Sequence, residues 1–267
     1  MSLFLATLAM PLLGGLLLGM LNNPALAARL NVAVGIATFT ASLGLAGVVL
    51  TSGAQESIGG WFFLDAFNVF LVALTAFVGM TTTIFSGPYM RHEREHGRVD
   101  GRRMRLYHSM FQLFQFGMLL GFTTNNIGVL WVSLELATLA TVLLVSLYRT
   151  PASIAAAWKY FILCGMGIAL ALFGTVLIFF TSSGVLGHGN EALTWTMLLT
   201  HASELDPTVM MIAFCFLMVG YGTKVGLAPM HAWLPDAHGE GPTPVSAVLS
   251  GLLLNLALYA LVRLKVL

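Results

Sequence analysis

The chain has 267 residues, of which 58% are hydrophobic and only 9% charged, and its net charge is +1. Soluble domains run nearer a quarter charged, so a water-facing globular surface is excluded and the solvent for these apolar residues has to be lipid. The near-neutral balance implies no nucleic-acid partner.

An apolar run of about 18 residues suffices for one bilayer crossing. By that measure the sequence predicts an all-α, polytopic transmembrane bundle of about eight helices, over 3–21, 29–51, 62–86, 108–124, 127–147, 153–181, 208–238 and 244–264, with the seventh interrupted. Met1-Ser2-Leu3-Phe4 carries no basic region ahead of the first run, so that run is expected as a retained helix and not a cleaved signal. Asn22-Asn23-Pro24 breaks the first pair, Gly53 and Gly59-Gly60 mark the second turn, and Thr123-Thr124-Asn125-Asn126 turns crossing four into five. Asp65 reads as a helix-start charge.

The stretch 87–107 is expected as a basic loop with six arginines, Arg91, Arg94, Arg98, Arg102, Arg103 and Arg105, and so on the cytoplasmic side. The Arg149 turn then falls inside, and the 182–207 loop, with Glu191, Glu204 and Asp206, falls outside. Arg263 and Lys265 land on the outer side against the rule, and snorkelling or continuation of the chain accounts for them. Within the loop, His92-Glu93-Arg94-Glu95-His96 matches HExxH. A zinc site needs a shaped cleft and a third ligand, and the surrounding arginines repel a dication, so a solvated cytoplasmic loop is the reading here. Cys164 and Cys215 lie in apolar runs without CxxC spacing and read as small buried hydrophobes. With no cysteine cluster, GxGxxG or P-loop in the sequence, any electrons move in other subunits. The chain ends at Leu267 directly after an apolar segment, which suggests a piece of a longer protein.

Function is sought in charges where charge is expensive, since one at mid-bilayer costs about 2.5–3.5 kcal/mol even on the lenient insertion scale. Glu135 lies in the middle of 127–147 with no basic residue within a turn, so it is either protonated or paired from another helix. Lys224 lies in the middle of 208–238 among Gly222, Gly226 and Pro229. Pro229 cannot donate to the Val225 carbonyl, and a broken helix at membrane depth belongs in protein or beside a watery cavity. Burial disfavours the charged form of an amine, so a lysine there can give up its proton. The plain alternative is a lysine that caps freed carbonyls. Lys159, about 10 Å into its crossing, is a second relay lysine, the positive partner of Glu135, or a snorkelling side chain. His231, seven residues after Lys224, shares its face if the helix resumes. His238 falls at the cytoplasmic interface as a point of proton access, or belongs to an interfacial turn. Thr243 reads as a cap with Pro244 at the first helical position.

The run Gly222-Thr223-Lys224-Val225-Gly226-Leu227-Ala228-Pro229-Met230-His231-Ala232-Trp233-Leu234-Pro235-Asp236-Ala237-His238, followed by Gly241-Pro242-Thr243-Pro244-Val245-Ser246-Ala247, resembles the signature of the proton-conducting membrane transporter family. That family holds the antiporter-like subunits of complex I, the Mrp cation/proton antiporters and the membrane subunits of hydrogenase-4 and formate hydrogenlyase. Trp131 to Ala137 and Ala155 to Phe161 resemble its fifth and sixth helices. Gly220 to Lys224 and Ser250 to Asn255 resemble most the hydrogenase-4 F-type branch.

The resemblance implies a fourteen-helix fold with two inverted five-helix repeats, of which this chain holds the first. Its parts are then helices 1–3 over 1–86, the basic loop, and helices 4–8 over 108–267. It implies Glu135 as the helix 5 carboxylate, Lys159 as the helix 6 lysine and Lys224 as the lysine at the helix 7 break. Ser250 and Asn255 stand where several relatives carry a histidine or lysine.

The function so implied is proton translocation by a non-catalytic subunit of a redox complex in the bacterial inner membrane. No cofactor is expected in this chain, and nickel–iron, iron–sulfur or quinone sites are expected in partner subunits. The alternatives are an Mrp-type antiporter subunit carrying protons and possible sodium, and a structural fragment whose charges only hold helices together.

Overall fold

The computed structural model describes residues 2–267. Helix α1 (Ser2–Met20) turns through Asn22-Asn23 into α2 (Pro24–Ser52). Asn23 caps α2 by accepting from the Ala25 and Leu26 N–H groups, and Pro24 takes the first helical position, where no N–H is needed. A short antiparallel pair follows, β1 (Gln55–Ser57) against β2 (Phe62–Leu64). Residues 62–64, expected to open the third crossing, belong to this hairpin instead. Helix α3 (Ala66–Glu95) starts at Asp65 in a capping box with Asn68, the helix-start role expected of that carboxylate.

Only residues 96–100 join α3 to α4 (Gly101–Thr123). The longer loop expected over 87–107 is therefore mostly helix. Polar helix ends outrun the apolar length needed for a crossing, and local bonds sustain them here. Buried Glu93 accepts from Arg98 at 3.2 Å, and Asp100 caps α4 by accepting from the Arg103 N–H at 2.8 Å. That hydrogen bond holds the Asp100 carboxyl below its usual range. The HExxH stretch is the last turn of α3, not a solvated loop. The His92 and His96 rings lie 4.1 Å apart, tilted by 47°, while Glu93 is committed to Arg98.

Helix α5 (Ile127–Val145) runs on through a 3₁₀ turn to Tyr148, and α6 (Pro151–Leu186) follows. The 187–206 connection contains α7 (Trp195–Thr200). The seventh rod is α8 (Pro207–Val225), an interruption, then α9 (Leu234–Glu240). The eighth is α10 (Thr243–Val248), a π-helical stretch Leu249–Leu253, and α11 (Leu254–Lys265). Thr243 does not cap it. Pro242 occupies that position, and the Thr243 hydroxyl approaches the Tyr89 hydroxyl at 3.5 Å.

Seven of these helices are long and apolar enough to cross a membrane. The chain is a multi-pass helical bundle. Helix α4 packs among them but is less apolar because its buried side carries His108, Gln112 and Gln115. These follow the i, i+4, i+7 spacing of one helix face. Gln112 donates to Asn31 Oδ1 at 2.7 Å and Gln115 to the Thr75 carbonyl at 2.8 Å, tying α4 to α2 and α3.

The bundle has two unlike ends. The basic end holds the 96–100 and Arg149 turns. At the other end Asn125 donates to the Gly60 carbonyl at 2.9 Å and to Thr196 Oγ1 at 2.8 Å, and Asn126 donates to Asn190 Oδ1 at 2.6 Å. Arg263 pairs there with Asp65 at 2.7 Å, its guanidinium 4.6 Å from the Trp195 ring centre. Arg263 is thus bonded inside the protein, which explains its place on the side that the basic loops avoid.

Candidate functional site: a buried lysine at a helix break

Helix α8 ends where a left-handed residue can stop it. Gly226 has φ +80°, and its N–H and that of Leu227 both return to the Gly222 carbonyl, at 3.0 and 2.9 Å. A side chain at 226 would be strained in that conformation and would also strike Leu234. The chain therefore leaves the helix three residues before Pro229, the residue expected to break it. The Thr223 carbonyl, reached by the Gly226 N–H only at 3.3 Å, also accepts the Trp233 indole N–H at 2.8 Å.

Close packing sets the position of α8. A Cβ on Gly220 would lie 2.5 Å from the Gly167 carbonyl and 2.6 Å from the Ala171 nitrogen. This small-residue crossing lets the α8 and α6 backbones approach as membrane helices commonly do. Lys224, in the last turn of α8, is thereby fully buried. Its Nζ donates to Thr138 Oγ1 of α5 and lies 5.5 Å from the centre of the Tyr160 ring of α6. Thr138 spends its own proton on the Leu134 carbonyl at 2.7 Å, so its lone pairs face the amine. Thr141 donates likewise to the Ala137 carbonyl at 2.8 Å, which leaves the Tyr160 hydroxyl as donor to Thr141 at 2.9 Å. Trp233 stacks on Tyr160 at 4.7 Å and closes the site from the side of the break.

Counting from the basic-end termini of α5 and α6, Thr138 and Tyr160 lie about 10–14 Å along their helices at 1.5 Å per residue. The amine is therefore inside the hydrocarbon depth. Among the described residues it has no ion-pair partner.

Glu135 precedes Thr138 by three residues on α5, on the same side of the helix. It is partly buried, and its Oε2 is buried without a hydrogen-bond partner. It joins the Lys224 site through space, with no direct bond. Lys159 is not its partner. Lys159 points to the half-exposed Asp236 of α9 and pairs with it at 2.7 Å, linking α6 to the segment after the break.

His231 is exposed. No helix resumes until Leu234, so the two-turn alignment with Lys224 does not form. His238 is half-buried, its ring edge-on to Trp233 at 6.5 Å and its Nε2 without a partner. The structure thus brings Glu135, Lys224 and, behind Trp233, His238 together, and leaves Lys159 and His231 on the rim.

Sequence reasoning missed Thr138, Thr141, Tyr160 and Trp233. The run Glu135, Thr138, Thr141, at steps of three on one apolar helix, was a readable signal for the hydroxyls. Nothing local marks Trp233. It also missed His108, buried with neither ring nitrogen bonded, because an interior histidine on a moderately polar helix resembles a loop edge.

Residues 124–267 match the family described as NADH:quinone oxidoreductase/Mrp antiporter, transmembrane. Over 262 residues the chain is 48% identical to the hydrogenase-4 component F homolog of Methylacidiphilum infernorum (isolate V4), covering 98% of this chain and 54% of that protein. It superposes on a chain of the archaeal membrane-bound sulfane sulfur reductase complex with a TM-score of 0.81 at 21% identity, over 98% of this chain and 52% of that one. A chain of the Mrp complex from Dietzia sp. DQ12-45-1b gives 0.80 at 21%, over 99% and 48%. At such identities the solved structures share the fold. The chain spans about half the length of the proteins it matches.

Proposed function

Because the chain belongs to the NADH:quinone oxidoreductase/Mrp antiporter transmembrane family, we propose that it is part of an antiporter-like membrane subunit that moves protons, with Lys224 as the carrier. The observation that carries this reading is an amine buried at a helix break whose hydrogen-bond partner is one neutral hydroxyl. Thr138 Oγ1 accepts from an ammonium or from a neutral amine, so both protonation states fit the same geometry. A lone ammonium at this depth is costly, so the balance between the two states is open to nearby charge. An ionised Glu135 favours the ammonium and a protonated Glu135 favours release.

His238 is the proposed point of proton access on the basic end, behind Trp233. The Lys159–Asp236 pair anchors α9 and so fixes that approach. Residues 108–267 form the first of the family's five-helix repeats, and the basic end faces the cytoplasm of a bacterial inner membrane. The partners are other membrane subunits of a hydrogenase-4 or NADH:quinone oxidoreductase type of complex, where nickel–iron, iron–sulfur or quinone sites carry the electrons. Moving one charge against 100 mV takes about 2.3 kcal/mol, which redox chemistry can supply.

The test uses the full-length protein in its complex, reconstituted in vesicles. Lys224→Ala should lower proton translocation per substrate oxidised at least tenfold in sodium-free medium. Unchanged translocation would overturn the assignment. A wild-type protein that transports only when sodium is supplied would replace the proton by sodium as the coupling ion.

A further inference from the structure

The basic end contains a second built feature that has no part in the Lys224 site. A cavity of about 400 Å³ lies between the end of α1, the first turns of α4 and the turn after α5. Four arginines line it, Arg102, Arg103, Arg105 and Arg149, with Leu106 and Met110 below them. Among the described residues no acidic side chain lines it. Asp100 stands 3.8 Å from Arg103, and among the described residues Arg102, Arg105 and Arg149 are in no ion pair. Arg105 donates to the neutral Asn22 side chain, and the Arg103 Nε is buried without a hydrogen bond.

Like charges gathered in one pocket repel unless an anion joins them, and guanidinium forks match phosphate oxygens. Arg149 adds an independent sign. It has φ +55°, a left-handed value that disfavours a non-glycine residue. Such strain is held where a side chain is required at that spot. From Arg102 to Met110 the cavity runs about 12 Å along α4, deeper than a headgroup layer and into the hydrocarbon level. On α1 Gly19 lines its wall, and the next residue, Met20, is exposed.

We propose that this cavity binds an anionic phospholipid, its phosphate among Arg102, Arg103, Arg105 and Arg149 and the start of its chains on Leu106 and Met110. A free phosphate would use the arginines alone, whereas a lipid uses the apolar floor as well.

The experiment takes the full-length protein in its complex, purified in mild detergent, and reads retained lipid by native mass spectrometry. It then reads the thermal unfolding midpoint after delipidation and addition of phosphatidylglycerol, phosphatidylethanolamine or inorganic phosphate. One anionic lipid per subunit and a midpoint rise with phosphatidylglycerol alone are expected. Arg102→Ala/Arg105→Ala/Arg149→Ala should lose both. If that variant fails to assemble, Arg149→Gly decides, because it relieves the backbone while removing one guanidinium. It should weaken lipid retention severalfold without lowering the midpoint of the lipid-free protein. Equal lipid retention in these variants, or an equal midpoint rise from inorganic phosphate, would overturn the proposal. Lys224→Ala should retain the lipid, so this result stands apart from the proton-carrier assignment.

Discussion

Thr138 accepts the only hydrogen bond given by the Lys224 amine among the described residues, and Trp233 closes the site beside it. Thr138→Val keeps the shape of the side chain but removes the acceptor, leaving a buried amine without its bond. Proton translocation in the reconstituted complex should fall markedly in this variant, and Thr138→Ser should restore most of it. Equal activity in both variants would show that the hydroxyl has no role. Trp233→Phe keeps an aromatic ring on Tyr160 and removes the N–H that serves the Thr223 carbonyl. The carbonyl is then left with only the long 3.3 Å bond from the Gly226 N–H, and one lost hydrogen bond costs about 0.5–1.5 kcal/mol, so the thermal unfolding midpoint should drop, and a midpoint equal to wild type would mean that the indole bond adds nothing.

Between helices, backbone approach and a single ion pair do the positioning. Gly220→Val pushes a branched side chain into the Gly167 carbonyl and the Ala171 nitrogen. The α6–α8 crossing should open, and the variant should fail to give assembled complex on a native gel, whereas Gly165→Ala, which meets nothing within 4 Å, should assemble normally. A double-mutant cycle on Lys159→Ala and Asp236→Ala should give a coupling of about 0.2–1 kcal/mol, the range for partly exposed pairs. Zero coupling would remove the tether assigned to that pair. The crossings were legible because an apolar run long enough to span lipid has few other uses, and Asn23 and Asp65 mark their helix starts by cap chemistry. The 87–107 stretch was not, because polar helix ends there rest on bonds such as Glu93–Arg98 that hydropathy does not register. The site was half legible. A charge in an apolar run identifies Glu135 and Lys224, but the partner of Lys159 is 77 residues away, and only the fold shows it to be Asp236.

Across the whole molecule the end opposite the arginines is stitched by side-chain bonds among the β1–β2 turn, the start of α3, the 124–126 turn, α7 and α11. Arg263 is its centre, bonded to Asp65 and stacked near Trp195. Arg263→Ala leaves a carboxylate without its charged donor, worth about 1.5–3 kcal/mol. The variant should unfold at a lower temperature in detergent, and Arg263→Lys should recover part of the loss. A midpoint unchanged by Arg263→Ala would mean that the hairpin and α7 hold this end without it.

The π-helical stretch at Leu249–Leu253 governs how that end meets the rest. Val245, Leu249, Leu253, Ala257 and Leu261 are all buried and recur every fourth residue. In an unbroken α-helix that rhythm would wind away by about 40° at each step, about 160° in all, and the wider π turn takes up much of the drift. This crossing therefore carries a reading frame in space. Deleting one residue from 249–253 would let the wide turn close to an ordinary α turn with Arg263 still facing Asp65, whereas one alanine inserted in the regular helix after Leu254 would leave composition and hydropathy nearly untouched, yet turn every side chain beyond it by about 100°, and Arg263 would face the wrong wall.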